Sequence, residues 1–283
     1  MAPVLPSDTF RLAAPAAYGA REQTRAPQEC QLPDPRGLPP PGPVTTFTHM
    51  VSAVIFDVDG TLVDSVDEHA EAWRRSFLEF GQDVPYAHVR SQIGKGADQL
   101  LPVFFSEEEL GRFGKELEHY RGELFKRDFM PKLSAFPKVR ELFEALVRDD
   151  IKVALASSAK DDELQFYVKL CNIQDLVQTR TSKDDIEHSK PAPDIFEAAW
   201  EQLGRPEKER VVVVGDTPYD AIAATKLQLP ALGVLCGGFS ASDLRDAGCR
   251  ALMKDPAELL ARYQAARQRW PWEGAQPTDE RSR

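Results

Sequence analysis

Short apolar, β-branched segments alternate with helical patterns along most of this chain, and this alternation restricts its fold more than any other feature. Four segments have the composition of a strand buried on both faces: 51–56, 151–156, 211–214 and 231–235. The helical patterns that follow them cover 161–170, 194–203 and 218–227. Strands joined through helices run parallel, so the order predicts an α/β fold with a doubly wound, Rossmann-like parallel sheet. Ligands bind such sheets beyond the carboxyl ends of the strands.

One long interval, from Ser65 to about Lys132, lacks any strand pattern and has clear helical signals instead. Ser65 with Glu68, and Ser106 with Glu109, match the capping boxes that begin helices. After each of them, apolar residues recur at spacings of three and four, which is typical of amphipathic helices. The sequence therefore predicts an all-helical cap domain at 65–136, inserted after the first strand and covering the carboxyl edge of the sheet.

The remaining chain divides into a core and two polar ends. The predicted α/β core comprises 50–64 and 137–270. Of the 22 prolines, 10 lie within residues 1–49, a stretch without helical or strand periodicity, which predicts a disordered Pro-rich segment. A second polar stretch, 271–283, predicts a flexible tail. Met50 stands directly before the first strand, so an alternative start at that residue stays open.

The charge balance excludes some classes of partner. The formal net charge of −10 argues against binding to nucleic acid or to an anionic membrane, because both require a basic surface. The four cysteines are far apart and form no CxxC pair, so neither a disulfide framework nor a zinc site is expected. These features predict a cytoplasmic protein with no nucleic-acid or membrane partner.

Polar side chains follow the predicted strands at the points where the strands end. Asp57 and Asp59 come after the first strand and, two residues apart on an extended chain, point to the same side. Further along the chain, the same edge receives Ser157, then Lys190 before a stiff Pro-Ala-Pro turn, then Asp216 and Asp220. Four carboxylates around one lysine leave a charge of about −3, which a buried site tolerates only with a cation. Oxygen ligands of this kind predict Mg²⁺.

The segments that carry these residues read DVDGT at 57–61, LAS at 155–157, SKPAPD at 189–194 and GDTPYD at 215–220. In this order, and on these elements, they resemble the haloacid dehalogenase (HAD) superfamily of phosphohydrolases. The resemblance is to the branch with a helical cap inserted after the first motif, which includes phosphoglycolate phosphatases and beta-phosphoglucomutase-like proteins. It covers about 51–260, nearly all of the predicted folded chain.

The resemblance implies a two-step phosphoryl transfer. Asp57 is then the nucleophile that forms an aspartyl-phosphate, and Asp59 is the acid that protonates the leaving group and the base that activates water. Ser157 and Lys190 are expected to donate to the transferring oxygens. Asp57, the backbone carbonyl of Asp59, and Asp216 are expected to hold the Mg²⁺ ion.

Five further residues are expected to act at the same site. Asp220 is either a direct ligand of the metal or a partner of a metal-bound water or of the site lysine. Thr61 and the Ser158 amide are expected to assist substrate binding. In the cap, His69 is expected to contact substrate or the acid-base aspartate, and Lys95, in a loop with two glycines, to meet an anionic substrate group.

The implied activity is that of an Mg²⁺-dependent phosphatase acting on a small phosphorylated metabolite, of the phosphoglycolate or sugar phosphate type. A phosphosugar mutase of the beta-phosphoglucomutase type is an alternative, although mutases resemble one another in carrying Glu-Asp where this chain has Gly215-Asp216. A non-catalytic phospho-acceptor signalling module is a third, against which Asp59 and the cap argue. The expected partner is a small-molecule phosphate ester, and the expected assembly is a monomer or homodimer.

Overall fold

A six-stranded parallel sheet forms the centre of the computed structural model, which describes residues 51–266. Its strands are β1 (Ala53–Phe56), β4 (Lys152–Ala156), β5 (Thr179–Thr181), β6 (Val211–Gly215), β7 (Ala231–Val234) and β8 (Cys249–Met253), and a separate antiparallel pair comprises β2 (Val63–Asp64) and β3 (Ser134–Ala135). The spatial order in the large sheet is β5-β4-β1-β6-β7-β8, with all neighbours parallel. The predicted segments 1–49 and 271–283 lie outside the described residues.

Both faces of this sheet are covered by helices, as the continuous apolar strands predict. Alternate residues of each central strand enter different clusters, so that Val54 and Phe56 face one side and Ala53 and Ile55 the other. The first side is covered by α5 (Val139–Arg148), α6 (Asp161–Leu170) and α10 (Pro256–Ala265), and the second by α7 (Asp194–Gln202) and α8 (Pro218–Lys226). A further helix, α9 (Ala241–Asp246), precedes β8. The doubly wound α/β prediction is confirmed.

The four predicted strands are present, with ends within two residues of those expected. The sequence missed β5 and β8, which form the two edges of the large sheet. Each of these strands mixes buried with exposed or half-buried positions and carries an exposed arginine, Arg180 or Arg250. An edge strand does not require a continuous apolar run, so its pattern resembles that of a loop.

Four α-helices lie between β2 and β3, and the segment 66–128 that contains them is called the helical insertion below. They are α1 (Val66–Glu79), α2 (Tyr86–Arg90), α3 (Ala97–Leu100) and α4 (Glu107–Asp128). The insertion has a hydrophobic cluster of its own, which includes Trp73, Phe77, Leu100 and Leu117. The insertion is therefore all-helical apart from its turns, whereas the cap bounds at 65–136 and the core bounds around them stay predictions.

The two predicted capping boxes have different outcomes. At α4 the Ser106 hydroxyl accepts from the Glu109 amide at 3.4 Å and the Glu109 carboxylate accepts from the Ser106 amide at 2.8 Å, which confirms the box. At α1 the prediction is wrong, because the Ser65 hydroxyl makes no cap hydrogen bond and donates to the Asp59 carboxylate at 2.7 Å. Because a hydrogen bond to an ionised carboxylate is strong, the Ser65 side chain is oriented towards Asp59 and not towards the amides of the helix start.

The longest described helix is α4, with 22 residues, and it is strongly charged along its exposed face. Its first turn holds three glutamates and its last turn a lysine and an arginine, an arrangement that stabilises the helix dipole at both ends. Within residues 51–266, neither this helix nor any other combines the length and the apolar composition needed to cross a membrane.

Candidate active site

The carboxyl edge of the central strands brings the predicted polar residues together. Asp57 follows β1, and its backbone amide donates to the Val214 carbonyl of β6 at 2.8 Å. The ends of these two strands therefore lie side by side. Asp216 comes directly after β6, and Asp220 lies in the first turn of α8. Ser157 follows β4, the neighbour of β1 on the other side. The parallel strand order alone therefore gathers these four side chains at one edge.

Lys190, in the loop before α7, is buried with only 1% of its surface exposed. Its ammonium forms ion pairs with the carboxylates of Asp57 and, at 2.8 Å, Asp220, and donates to the Ala156 carbonyl at 3.2 Å. Burial by itself would lower the pKa of Lys190, but the charges of Asp220 and Asp57 hold it above its ordinary value. The lysine is therefore a charged component of the site.

The protein groups alone do not neutralise the buried carboxylates. Burial raises the pKa of Asp57 to about 7; the charge of Lys190 opposes this rise and the charge of Asp220 adds to it. The pKa of Asp216 is raised well above its ordinary value by burial and by the charges of Asp57 and Asp220. One ammonium facing three carboxylates leaves an excess of negative charge, so a further cation would stabilise the ionised site.

The oxygen atoms at this edge fit a divalent cation. Asp57, Asp216 and Asp220 each offer one carboxylate oxygen, and these oxygens all lie within 4.8 Å of one another. The Oδ2 atom of Asp216 is buried and has no hydrogen-bond partner among the described residues. Gly237 adjoins it so closely that a Cβ atom there would lie 1.7 Å from that oxygen. A buried, unpaired carboxylate oxygen within an all-oxygen set is suited to a hard cation such as Mg²⁺.

The carboxylate of Asp59 is held apart from that cluster. Its Oδ1 atom accepts from the Ser65 hydroxyl at 2.7 Å and from Nε2 of His69 at 2.8 Å. Burial by itself would raise the pKa of Asp59, but His69 and these hydrogen bonds lower it to about 2. The aspartates two residues apart thus have different surroundings, one facing the lysine and the carboxylates, the other a histidine and a serine.

The hydroxyl groups of Thr61, Ser157 and Ser158 have distinct surroundings, although for Ser158 the sequence predicts a role of the backbone amide only. Thr61 lies within donating distance of Asp57, at 2.9 Å, and of Asp216, at 3.0 Å, so its hydroxyl bridges two carboxylates. The Ser157 hydroxyl accepts from the Ala159 amide at 3.1 Å. The Ser158 hydroxyl is buried and has no partner among the described residues. The predicted substrate contact of Thr61 stays a prediction, as do those of the two serines.

A cleft separates this sheet edge from the helical insertion, and both parts line it. Five residues that the sequence predicts for the site line this cleft: Asp57, Asp59, His69, Lys95 and Ser158. Lys190, Asp216 and Asp220 are buried and are not among the residues that line the cleft. The Lys95 ammonium donates to the Gln92 side chain at 2.6 Å and lies 4.8 Å from the centre of the Tyr219 ring.

The cleft lining includes residues that the sequence prediction missed, among them Arg121 on α4 and Glu163 on α6. Arg121 contacts Nδ1 of His69, lies 3.8 Å from the Glu163 carboxylate and stacks over Trp73. The signal that could have identified Arg121 is its position between Leu117 and Leu124, on the buried side of α4. A charged residue in an apolar stripe of a helix requires a partner, which sequence alone does not name.

The fold and the site together define an α/β enzyme with carboxylates and a lysine at the carboxyl edge of a parallel sheet, covered by a helical insertion. The family described as haloacid dehalogenase-like hydrolase matches residues 54–234, and the chain belongs to that family. The predicted resemblance is thereby confirmed. The protein is a HAD-type phosphatase, a hydrolase of phosphoric monoesters.

Two relatives and one solved structure illustrate the range of the family. A phosphorylated carbohydrates phosphatase of Thermotoga maritima is 29% identical over 211 residues, which cover 74% of this chain and 97% of that protein. A phosphoglycolate phosphatase of Rhodospirillum rubrum is 26% identical over 223 residues, which cover 74% of this chain and 90% of that protein. The solved structure of a candidate beta-phosphoglucomutase from Bacteroides vulgatus shares the fold, with a TM-score of 0.68 and 19% identity. The match covers 77% of this chain and 90% of that one.

Proposed function

We propose that this phosphatase hydrolyses a small phosphorylated metabolite, of the phosphoglycolate or sugar phosphate type, through an aspartyl-phosphate and with Mg²⁺. The observation that carries the proposal is the arrangement of Asp57 and Asp59, which line one cleft while their carboxylates have opposite surroundings. Asp57 is paired with the Lys190 ammonium, and the unpaired oxygen of Asp216 beside it is suited to a cation. Positive charge at both places would favour the approach of an anionic phosphoryl group to Asp57. The names of the two relatives support both substrate types.

In the first step a carboxylate oxygen of Asp57 attacks phosphorus, and the bond between phosphorus and the ester oxygen breaks. Asp59 supplies a proton to the departing alkoxide, which leaves as an alcohol. Asp59 is ionised in the free protein, because its pKa is about 2. A phosphate ester beside it adds negative charge and raises this pKa, which favours the protonated form that the step needs.

In the second step a water oxygen attacks phosphorus, Asp59 accepts the proton from that water, and the bond between phosphorus and Asp57 breaks. Phosphate is released and the Asp57 carboxylate is regenerated. His69 and Ser65 stabilise the ionised form of Asp59, so they hold its carboxylate ready for this basic role.

Asp57, Asp216 and the backbone carbonyl of Asp59 are the proposed holders of Mg²⁺. The ion supplies positive charge that permits the carboxylate and the phosphoryl group to approach each other. We assign Asp220 to the lysine rather than to the metal. Its Oδ1 atom pairs with Lys190 at 2.8 Å, and its Oδ2 atom accepts from the Thr217 amide at 3.1 Å and from the Thr217 hydroxyl at 2.7 Å.

The transferring oxygens are the proposed acceptors of hydrogen bonds from Ser157, Ser158 and Lys190, all of which lie around Asp57 at the sheet edge. Lys95 and His69, on the insertion side of the cleft, are the proposed contacts of the leaving group. Because the cleft holds cationic and anionic side chains on that side, the leaving group is expected to be polar.

The test is a panel of phosphorylated metabolites, with phosphate release measured with Mg²⁺ and after its removal by a chelator. We expect release from phosphoglycolate or sugar phosphates, dependent on Mg²⁺ and abolished in Asp57→Asn. Activity that survives chelation would contradict the metal assignment. Conversion of a sugar 1-phosphate into its 6-phosphate without net phosphate release would instead establish the mutase.

A further inference from the structure

A loop of the helical insertion docks directly on the two core segments that carry Lys190 and Asp216. This loop and the first two residues of α3, together residues 91–98, are called the insertion loop below. At Gly94, where φ is +103°, a Cβ atom would lie 2.6 Å from Cγ2 of Thr217, which follows Asp216. At Gly96 a Cβ atom would lie 2.1 Å from Oγ of Ser189, which precedes Lys190. Such close approaches require glycine, so the loop and these core segments are fitted to each other.

The last residue of the insertion loop, Asp98, fastens it to the core through both carboxylate oxygens. One oxygen accepts from the Lys183 ammonium at 2.8 Å, and the other accepts from the backbone amide of Ser189 at 3.0 Å. Burial by itself would raise the pKa of Asp98, but these hydrogen bonds hold it below its usual range. Asp98 is therefore ionised at neutral pH, and both partners lie on the core side of the cleft.

We propose that Asp98 is a positioning residue for the phosphatase reaction. By holding the amide of Ser189, it fixes the turn in which Lys190 approaches Asp57. By closing the insertion loop onto the core, it also keeps Lys95 at the cleft. The proposal relies on the proposed function only for the identity of the reacting group, because the docking itself is independent of any substrate.

A second ion pair between the insertion and the core provides a matched control. Lys126 of α4 lies 2.5 Å from Asp162 of α6, and neither residue touches the insertion loop. In an Asp162→Asn variant the side-chain oxygen that accepts from the Glu163 amide is kept, so only the charge of the pair is lost. If ion pairs between the two parts stabilised the fold in a general way, removing either one would have the same effect.

The first experiment measures backbone hydrogen exchange in the full chain without substrate. In Asp98→Ala we expect faster exchange in residues 91–98 and at Ser189, with the rest of the insertion unchanged. Asp162→Asn is expected to leave these amides as protected as in the wild type. Unchanged protection of residues 91–98 in Asp98→Ala would overturn the proposal, and so would equal loss of protection in both variants.

The second experiment measures kcat and KM for p-nitrophenyl phosphate with Mg²⁺. Because a displaced active-site lysine slows chemistry, we expect Asp98→Ala to lose about tenfold or more in kcat/KM, mainly in kcat. Asp98→Asn keeps an acceptor for the Ser189 amide and is expected to lose less. The double variant Asp98→Asn with Lys183→Met is expected to lose no more kcat/KM than the more affected of the two single variants. Two results would overturn the proposal. One is a double variant in which the losses of the two single variants multiply, and the other is a wild-type kcat in Asp98→Ala.

The two experiments separate the proposals. A wild-type protein that releases no phosphate from any ester would contradict the proposed function, while the exchange measurement would still test the docking by Asp98. An active wild type with unchanged kinetics in Asp98→Ala would contradict the positioning role alone.

Discussion

At the scale of single residues, the site depends on giving two neighbouring aspartates different environments. Burial and surrounding carboxylates raise the pKa of Asp57 to about 7, whereas His69 and Ser65 keep that of Asp59 near 2. The sequence places both carboxylates at the same edge, but the difference arises from side chains more remote in the chain. In the metal-free protein this separation suits the proposed role of Asp59 as the base of the second step. For the proposed first step, a bound cation would have to lower the pKa of Asp57, and the phosphate ester would have to raise that of Asp59.

The raised pKa of Asp57 predicts a pH-dependent effect of Mg²⁺ on thermal stability. The pKa of this group is about 7 in the folded, metal-free protein and 3.8 in its ordinary state, so the unfolded chain loses the proton first. Between about pH 4 and 7 the carboxyl therefore makes the metal-free fold progressively less stable. A cation that binds the ionised form reverses this loss, so Mg²⁺ should raise Tm more at pH 7.5 than at pH 5.

Thermal unfolding at both pH values, with Mg²⁺ and with a chelator, checks this expectation. Asp57→Asn is the matched control, because its amide does not titrate and it lacks the carboxylate. The variant should show a smaller pH dependence of Tm and a weaker response to Mg²⁺. An equal Mg²⁺ effect at both pH values in the wild type would contradict the prediction.

Replacement of Asp59 by asparagine should separate the two chemical steps. With p-nitrophenyl phosphate, whose leaving group needs no proton, Asp57 should still be phosphorylated, while hydrolysis should slow by about 10²–10⁴-fold for want of a base. Acid quenching followed by mass measurement should then find the phosphorylated protein in Asp59→Asn and none in the double variant with Asp57→Asn. Turnover at the wild-type rate in Asp59→Asn would show that another group is the base.

At the scale of elements, the sequence predicts what continuous or periodic burial determines. The buried strands and the doubly wound order were predictable because short, β-branched apolar runs that alternate with helical patterns are typical of a parallel sheet covered on both faces. The edge strands β5 and β8 were not, since an edge does not impose such a run. The start of α1 was predicted with the wrong cap, because Ser65 serves Asp59 rather than the helix. Function thus explains the departure from the local rule at this helix.

The insertion loop permits a test at this scale. A methyl group is added at Gly96, and a second substitution at Ser189 then makes room for it. Gly96→Ala would place a Cβ atom 2.1 Å from Oγ and 2.5 Å from Cβ of Ser189, so the loop must move away from the core. We expect kcat/KM to fall about tenfold, and Ser189→Gly in the same chain to restore part of it by removing both atoms. The kinetics of the two single variants and the double variant measure this.

Gly111→Ala in α4 is the control for this substitution, because nothing lies within 4 Å of the added methyl group. It should leave kcat/KM unchanged and stabilise the helix by up to about 1 kcal/mol. A Gly96→Ala variant as active as Gly111→Ala would show that the insertion loop has room that its contacts with the core do not suggest.

At the scale of the whole molecule, side chains from distant parts of the chain complete the cleft. Arg121 from the insertion meets Glu163 from the core and His69 from the start of α1. The predicted edge of the sheet supplied the aspartates, but this meeting depends on how the insertion lies over the sheet. That placement depends on apolar contacts, such as those of Leu124 and Phe125 with the core cluster, and on the polar contacts of the insertion loop. Neither kind of contact has a signature in one sequence that names both partners. Thus the gathering of the aspartates at the sheet edge was predictable, and the meeting of Arg121 with Glu163 opposite it was not.

The Arg121–Glu163 pair leads to a prediction that depends on this long-range placement. The two charged groups lie 3.8 Å apart, with 13% and 4% of their side chains exposed. Arg121→Met would leave the Glu163 carboxylate buried without its cation, and removal of one partner from a buried pair typically costs about 3–5 kcal/mol. In the double variant with Glu163→Gln the uncompensated charge is gone, so most of that loss in unfolding free energy should be recovered. Denaturant unfolding of the two single variants and the double variant measures the coupling. If the losses in unfolding free energy of the two single variants add up in the double variant, Arg121 and Glu163 are not coupled, and the prediction is contradicted.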